Sequence, residues 1–463
     1  MRHRDDRYPL QPLNETALLW QADGSLNLPS ELTDDLLLQV RYRATGRQPG
    51  IEICPQDGEP LRQFFEADSS GLRFLNLSGV VRPGASVRLR ALDCQLEPAM
   101  TLLQFAPLPL AEGPLLIVAP HADDAELAAY GLYRHHASQC WIVTVSAGEQ
   151  LQSLQRQYVP GLDRTLAQAA ERKGLIRAWN SATTPWLAGV PPERLVMLGY
   201  SNMTLQAMMA QPETPIPAPS GMQAAPSLFR RFNRFALPSD GVAQNRGSDL
   251  IADLASLISH IRPATLVVTH PELDPHPDHR ATIQAVAAAL ARVEYRPSQV
   301  LLYANHLQGV KGLPFGPEHA GTTLPPAQMS HSILGPWRVH SELLSPAVQQ
   351  EKLLALDTMH DLRHQLRLER RIKRWWGQLW RRWPYRYYGA HPYFQTAIKA
   401  HEVFAVVSAE ALCEGMGYMV ARRAAPKLSS PLRRAEPARG GWVMPTTVAV
   451  PARPDPAPAV SNS

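Results

Sequence analysis

Four cysteines are all that the 463 residues offer, Cys54, Cys94, Cys140 and Cys413, and no two of them form a CxxC pair. That spacing suggests neither a thiolate zinc cluster nor a disulfide framework, so a reducing compartment fits best. Long apolar runs are missing too. No stretch reaches the 18 or so apolar residues that would cross a bilayer, so no transmembrane helix is expected. The opening residues, MRHRDDRYPLQPLNE, are too polar for the apolar region of a secretory signal. Nor is there a large excess of one charge: the formal net charge is +5, too small at this length to argue for nucleic acid as a partner. These absences together predict a cytoplasmic protein that does not bind nucleic acid.

Apolar residues make up 45% and charged residues 19%, which suits a globular protein with a sizeable core. The length predicts two folded units plus tails. Between Leu36 and Leu103 short alternating segments recur, LLLQVRYR, GIEIC, LRFLNLSG and SVRLRALDC, divided by turns rich in Gly, Pro and Asp. Period-two alternation at this spacing predicts a small antiparallel β-sandwich domain over residues 1–108. Such a module could bind carbohydrate, but a structural or docking appendage is the simpler reading, because a fold alone does not assign function.

The character changes at Gly113. PLLIVAP is a continuously apolar run of the buried parallel type, followed by HADD and then AELAAYGLYRHHA with helical spacing. CWIVTVSAGE reads as a second strand. IADLASLISHI, TLVVTH and the stretch from Ala281 to Ala291 repeat a helix, a strand and a helix. Alternating strands and helices predict an α/β domain with a mainly parallel sheet flanked by helices, over residues 109–423. Residues 211–247, with PETPIPAPSGMQAAP and the basic aromatic FRRFNRF, are expected to form an inserted loop. Residues 424–463 are rich in Pro, Ala and Arg, cannot bury enough apolar area to fold, and are expected to be a disordered tail.

Two clusters carry chemistry. Pro120, His121, Ala122, Asp123, Asp124, Ala125 and Glu126 follow one buried strand, and His270 to His279, reading HPELDPHPDH, follow another. In open α/β sheets ligands bind at the carboxyl ends of strands, so both clusters sit where chemistry is expected. Imidazole and carboxylate are good zinc ligands, and a catalytic zinc keeps about three protein ligands with one position open to water. A hydrolase also needs a base and a donor for the developing oxyanion, and Asp123 and His276 are of those types. Asp278 could orient His276 from behind. Taken alone, HADD could be a helix cap and HPDH a polar loop; it is their joint placement that argues for one site.

HADDAELA and HPDH resemble the signature of the PIG-L/LmbE-like de-N-acetylase family, roughly HPDDAELG and a terminal HPDH. VTVSAGE, LGYSN and KLLALDTMHDLRHQ are weaker echoes of its second strand, its LGYPD segment and its late helix, and the resemblance spans about Gly113 to Val407. It implies a Rossmann-like α/β fold and a zinc ion held by His121, Asp124 and His279, with Asp123 as general base and His276 as electrostatic catalyst. Ala122 replaces the usual Pro, Asn202 stands where an acid is common, and the Arg-x-x-Glu pattern near Arg172 is imperfect. Arg172 and Asn202 are therefore carried over as substrate-binding positions in altered form. The implied activity is a zinc-dependent hydrolase that removes the N-acetyl group from an N-acetylhexosamine in a glycolipid or envelope glycan, such as a lipopolysaccharide core sugar. In the implied reaction Asp123 deprotonates the zinc-bound water, and zinc with protonated His276 steadies the oxyanion. The alternatives are a zinc amidohydrolase of a small N-acyl amino-sugar cofactor precursor and a non-catalytic carbohydrate-binding protein.

A last segment bears on location. RLERRIKRWWGQLWRRWPYRYY, residues 367–388, mixes Arg and Lys with Trp375, Trp376, Trp380 and Trp383. As a helix it places Trp376, Leu379, Trp380 and Trp383 on one side, with Arg371, Arg374, Arg381 and Arg382 supplying charge. Basic residues among tryptophans suit an anionic membrane interface, so peripheral contact at the inner face of the membrane is expected. Packing of the tryptophans on the domain's own core, and stacking on sugar, are the competing readings.

Overall fold

From Val40 onward burial alternates along one strand: Val40, Tyr42 and Ala44 are buried while Arg41 and Arg43 face water. That is the pattern the sequence predicts, and it recurs through a computed structural model. The structure describes residues 2–223, 226–241, 244–306, 314–317, 319–363, 372, 375–376 and 398–424. The predicted disordered tail, beyond Ala424, lies outside the described residues, and so does the predicted Trp-rich helix except for Ile372, Trp375 and Trp376.

Ten strands come first: β1 (Arg2–His3), β2 (Asn14–Leu19), β3 (Ser25–Asn27), β4 (Asp35–Ala44), β5 (Gly50–Pro55), β6 (Leu61–Phe64), β7 (Ser69–Asn76), β8 (Ser86–Leu92), β9 (Cys94–Leu96) and β10 (Ala99–Phe105). One sheet runs β1-β7-β4-β10-β2 with β9 paired to β4, and a second runs β3-β8-β5-β6. The β1–β7 pair is parallel; β4 pairs antiparallel with β7, β9 and β10. Leu26, Val40, Ile51, Ile53, Leu75, Leu89 and Leu102 fill one apolar cluster drawn from both sheets. The other face of β4 is not left to solvent, since Leu37 packs with Phe74, Leu103, Phe105, Leu324 and Val339. Polar contacts reinforce that join. The Asn76 amide donates to Ser341 Oγ at 2.9 Å, and Asp35 meets His340 Nδ1 at 3.0 Å.

The second part alternates as expected: β11 (Leu115–Ala119), α1 (Asp124–His135), β12 (Cys140–Ser146), α2 (Leu166–Thr183), β13 (Leu195–Tyr200), α3 (Leu205–Ala210), α4 (Gly247–Ile261), β14 (Thr265–Thr269), α5 (Pro277–Arg292), β15 (Gln299–Tyr303), β16 (Arg338–Leu343), α6 (Pro346–Thr358), β17 (His401–Val407) and α7 (Ala409–Ala424). The sheet order is β13-β12-β11-β14-β15-β17-β16. The first five strands are parallel, while β17 and β16 close the sheet antiparallel. The fold is thus mixed α/β. All five residues of β11 and all five of β14 are buried, which is why these segments read as continuous apolar runs. The chain moves outward from β11 to β13 and returns to the other side of β11 at β14. A crevice therefore opens between the loops that follow these two strands.

Two local features were not predicted. α1 breaks at Ala129, whose φ of −141° is not helical. The groups freed there are satisfied from elsewhere: Glu402 Oε2 accepts from Gly131 N at 3.0 Å, and Lys352 Nζ donates to Leu127 O at 3.0 Å and to Glu402 Oε1 at 2.6 Å. The expected inserted loop is, where described, packed along the sheet edge. The Asn233 side chain pairs with both N and O of Met197 in the edge strand β13, at 2.8 and 2.9 Å. Arg230 reaches Leu198 O and the buried Asp253, both at 2.8 Å. A side-chain amide on an edge strand takes the place of a further strand. No described helix is long and apolar enough to cross a membrane.

Candidate metal centre

The loop after β11 delivers His121 and turns into α1. Asp124 directs Oδ2 back to the backbone N of His121 at 2.9 Å, closing the turn that aims both side chains. After β14, the chain runs from His270 to His276, the N-cap of α5, with Pro277 at the first helical position. The first turn of α5 then presents His279 toward His121.

Three atoms converge. His121 Nδ1 and His279 Nε2 each lie 3.2 Å from Asp124 Oδ2 and 3.4 Å from one another. A tetrahedral zinc with bonds of about 2.0–2.1 Å requires donor spacings of roughly 3.3–3.4 Å, so the three residues fit such an ion. Each imidazole also has a carboxylate on its other nitrogen. His279 Nδ1 meets Asp274 Oδ2 at 2.8 Å, and His121 Nε2 meets Asp278 Oδ2 at 3.3 Å. Such outer carboxylates fix the tautomer and aim of a metal-binding histidine. Asn305 completes the frame by donating to Asp124 Oδ1 at 2.8 Å, which leaves Oδ2 for the centre. A second group able to hold an ion, His121, His276 and Asp278, shares His121.

The electrostatics match a cation site. Burial alone would lower both histidines, but Asp124 and Asp278 push His121 up to about 10, and Asp124 with Asp274 pushes His279 up to about 9. Burial would raise Asp124, yet His279 and His121 hold it well below the usual carboxylate range. The carboxylates around both rings thus favour positive charge at the centre.

His276 differs. Burial first, then the neighbouring His121, His279 and His306, lower it to about 4. Its ring stacks on His306 with centroids 4.7 Å apart, and its Nδ1 accepts the backbone N–H of Asp278 at 3.2 Å. A neutral ring whose Nδ1 accepts must carry its proton on Nε2. Burial and the rings around it thus disfavour the charged form that the sequence reading gives this residue. The Asp278 carboxylate faces His121 and accepts the backbone N–H of Met203 at 2.6 Å, and its own backbone N–H meets His276 Nδ1. Its Oδ1 is buried with no partner among the described residues.

Asp123 lies beside the centre with Oδ1 held by Arg177 Nη2 at 3.0 Å. Arg177 is buried on α2 and was not singled out from the sequence. Arg172, which was, does not reach the cluster: it pairs with Asp163 at 2.8–3.0 Å, and its side chain is 46% exposed. Five residues along a helix turn the side chain by about 140°, so the two arginines face different ways. Asn202 is brought in, with Oδ1 3.2 Å from His121 Nε2 and its N bound to Glu149 Oε1 at 2.9 Å. Asp274, Glu149, Asn305 and His306 complete the set that sequence reasoning missed. Of these Asp274 had a sequence signal, as a surplus acid within HPELDPHPDH, and Glu149 another, as the last residue of VTVSAGE.

Residues 116–290 match the family model described as PIG-L, GlcNAc-PI de-N-acetylase. No curated protein sequence matches the chain. Among solved structures, a deacetylase from the biosynthesis pathway of teicoplanin is 17% identical, covers 64% of this chain and 98% of its own, and has a TM-score of 0.32. N,N'-diacetylchitobiose deacetylase from Pyrococcus horikoshii is 14% identical over 67% of this chain and 87% of its own, with a TM-score of 0.33. The 4-carboxy-2-hydroxymuconate hydratase GalB from Pseudomonas putida is 14% identical over 69% and 99%, with a TM-score of 0.32.

Proposed function

We propose, for a chain whose residues 116–290 belong to the GlcNAc-PI de-N-acetylase (PIG-L) family, a zinc-dependent hydrolase that removes the N-acetyl group from an N-acetylhexosamine. The substrate class is a glycolipid or cell-envelope glycan, such as a lipopolysaccharide core sugar. The observation that carries this reading is the convergence of His121 Nδ1, Asp124 Oδ2 and His279 Nε2 at 3.2–3.4 Å, with a carboxylate behind each imidazole.

A zinc ion bound there would polarise the acetyl carbonyl and acidify a water molecule. The remaining work falls to the chain. Asp123, with one oxygen on Arg177, takes the water proton on the other oxygen and returns it to the leaving amine. His276 donates its Nε2 hydrogen to the oxyanion of the tetrahedral adduct, as a neutral group that needs no charge of its own. Asp274 and Asp278 hold the two ligating rings in register. Asn202, beside His121, is the substrate contact.

The segment of residues 367–388, with its tryptophans and arginines, would bring the enzyme to the anionic inner surface of a membrane, while residues 1–108 serve as an appended β-domain on the catalytic domain of residues 109–423. Liposome flotation of the intact protein and of a variant lacking Trp376, Trp380 and Trp383 tests the membrane contact; equal flotation of the two would end it. For the activity, acetate release from a panel of N-acetylhexosamines and lipopolysaccharide core fragments is the test. Release by the zinc-loaded protein that stops on chelation supports the reading, and no release from any of them opposes it.

A further inference from the structure

Asp361 lies in the short 3-10 turn His360–Arg363 after α6, within the segment KLLALDTMHDLRHQ. Its carboxylate is unusually heavily bonded. Oδ2 accepts from Arg177 Nη1 at 2.5 Å and meets Lys173 Nζ at 3.0 Å, and Oδ1 accepts from the Tyr158 hydroxyl at 2.5 Å. Lys173 and Arg177 stand four residues apart on α2, so one helix face supplies both cations. Burial would raise the Asp361 carboxyl, but Arg177 and Lys173 bring it down to about 2. Arg177 itself is held at three points: Nε on Ala147 O at 2.7 Å, Nη1 on Asp361, and Nη2 on Asp123 Oδ1 at 3.0 Å.

This fork has a consequence for the base. A guanidinium left free beside a carboxylate prefers the bidentate arrangement, in which two N–H groups take both oxygens. Here Asp361 occupies Nη1, so Arg177 reaches Asp123 through Nη2 alone and the second oxygen of Asp123 is spared. We propose that Asp361 is a positioning residue that, acting through Arg177, holds the Asp123 carboxylate in one orientation with one oxygen free to take a proton. This rests on the reading of Asp123 as the base. Tyr158 and Lys173 anchor Asp361 in turn, so the loop after β12, the helix α2 and the turn after α6 all bear on one carboxylate.

The test is a double-mutant cycle on the full zinc-loaded chain, with free N-acetylglucosamine as the probe and a crystal structure of Asp361→Asn alongside. Asp361→Asn is expected to lower kcat by about 10- to 100-fold, the scale of a displaced catalytic group, with KM within about twofold and zinc content unchanged. In an Arg177→Ala background the same change should cost nothing further, because the path through Arg177 is already cut. The crystal structure should show Arg177 on both oxygens of Asp123. An additive loss in the Arg177→Ala background, an unchanged kcat, or an unmoved Arg177–Asp123 contact would overturn the inference. If the wild-type chain releases no acetate from any amino sugar, the functional reading fails, and the crystal structure alone still decides what Asp361 does to Arg177.

Discussion

Asp274 Oδ2 lies 2.8 Å from Nδ1 of His279, while the other nitrogen of the same ring faces Asp124 Oδ2 at 3.2 Å. The imidazole is therefore held between two carboxylates, one in the centre and one behind it. Asp274 is fully buried and also accepts the backbone N–H of His276 on Oδ1 and of Asn305 on Oδ2, both at 3.0 Å. Asp274→Asn should keep the loop's backbone bonds in part and lose the charge behind His279. Zinc affinity, read by competition with a chromophoric chelator, is expected to fall about 10- to 100-fold. Wild-type affinity in this variant would mean that Asp274 organises the loop without tuning the ligand.

The break in α1 makes a second prediction. Lys352 and Glu402 are buried, and removing one partner leaves an uncompensated charge beside freed backbone groups. Lys352→Met should cost about 3–5 kcal/mol in chemical denaturation, the usual penalty for halving a buried pair. Pairing it with Glu402→Leu should recover part of that loss.

The two arginines of α2 should separate cleanly. Arg172→Ala removes a half-exposed partner of Asp163 and is expected to leave kcat and KM within about threefold. Arg177→Ala strips Asp123 of its only side-chain partner among the described residues, and a loss in kcat on the order of 100-fold is expected. Steady-state kinetics of both variants on one substrate checks the pair; a larger loss from Arg172→Ala would return that residue to substrate binding.

The contact between the β-part and the sheet has a pH signature. Burial would lower His340, but the bond to Asp35 and the nearby Glu342 carboxylate raise it to about 9. A histidine raised on folding contributes stability that is fully present below its unfolded value of about 6.5 and is lost as pH rises through about 9. The gap in thermal stability between wild type and His340→Gln should thus be widest at pH 6 and close by pH 10. A gap that is constant across that range would show that His340 does not carry its charge into the interface.

Much of this was legible beforehand, and the exceptions have physical reasons. Continuous apolar runs marked β11 and β14 because both strands are buried on two faces, and the clusters after them were conspicuous because such strand ends adjoin the crevice. What joined His121 to His279 was strand order, which a linear pattern does not encode. Asp274 and Asp278 were visible as acids, but their partners are set by how α5 packs on β14, which brings the Asp278 carboxylate to His121. Arg177 was missed because it sits in a helix among other cations, with nothing local to mark the inward-facing one. The kink at Ala129 lies within AELAAYGLYRHHA, two residues before Gly131, and the ion pair from α6 and β17 meets the backbone groups beside it.

Asp123 offers the sharpest single test. Asp123→Asn keeps the shape of the side chain and its place beside Arg177, touches no ligand of the centre, and removes the capacity to accept a proton. Zinc content and acetate release measured on the same preparations should show one zinc per chain in both proteins and a kcat for the variant lower by about 100- to 10,000-fold. Equal acetate release from the two proteins, or loss of zinc from the variant, would contradict the division of labour proposed between Asp123 and the three residues around the ion.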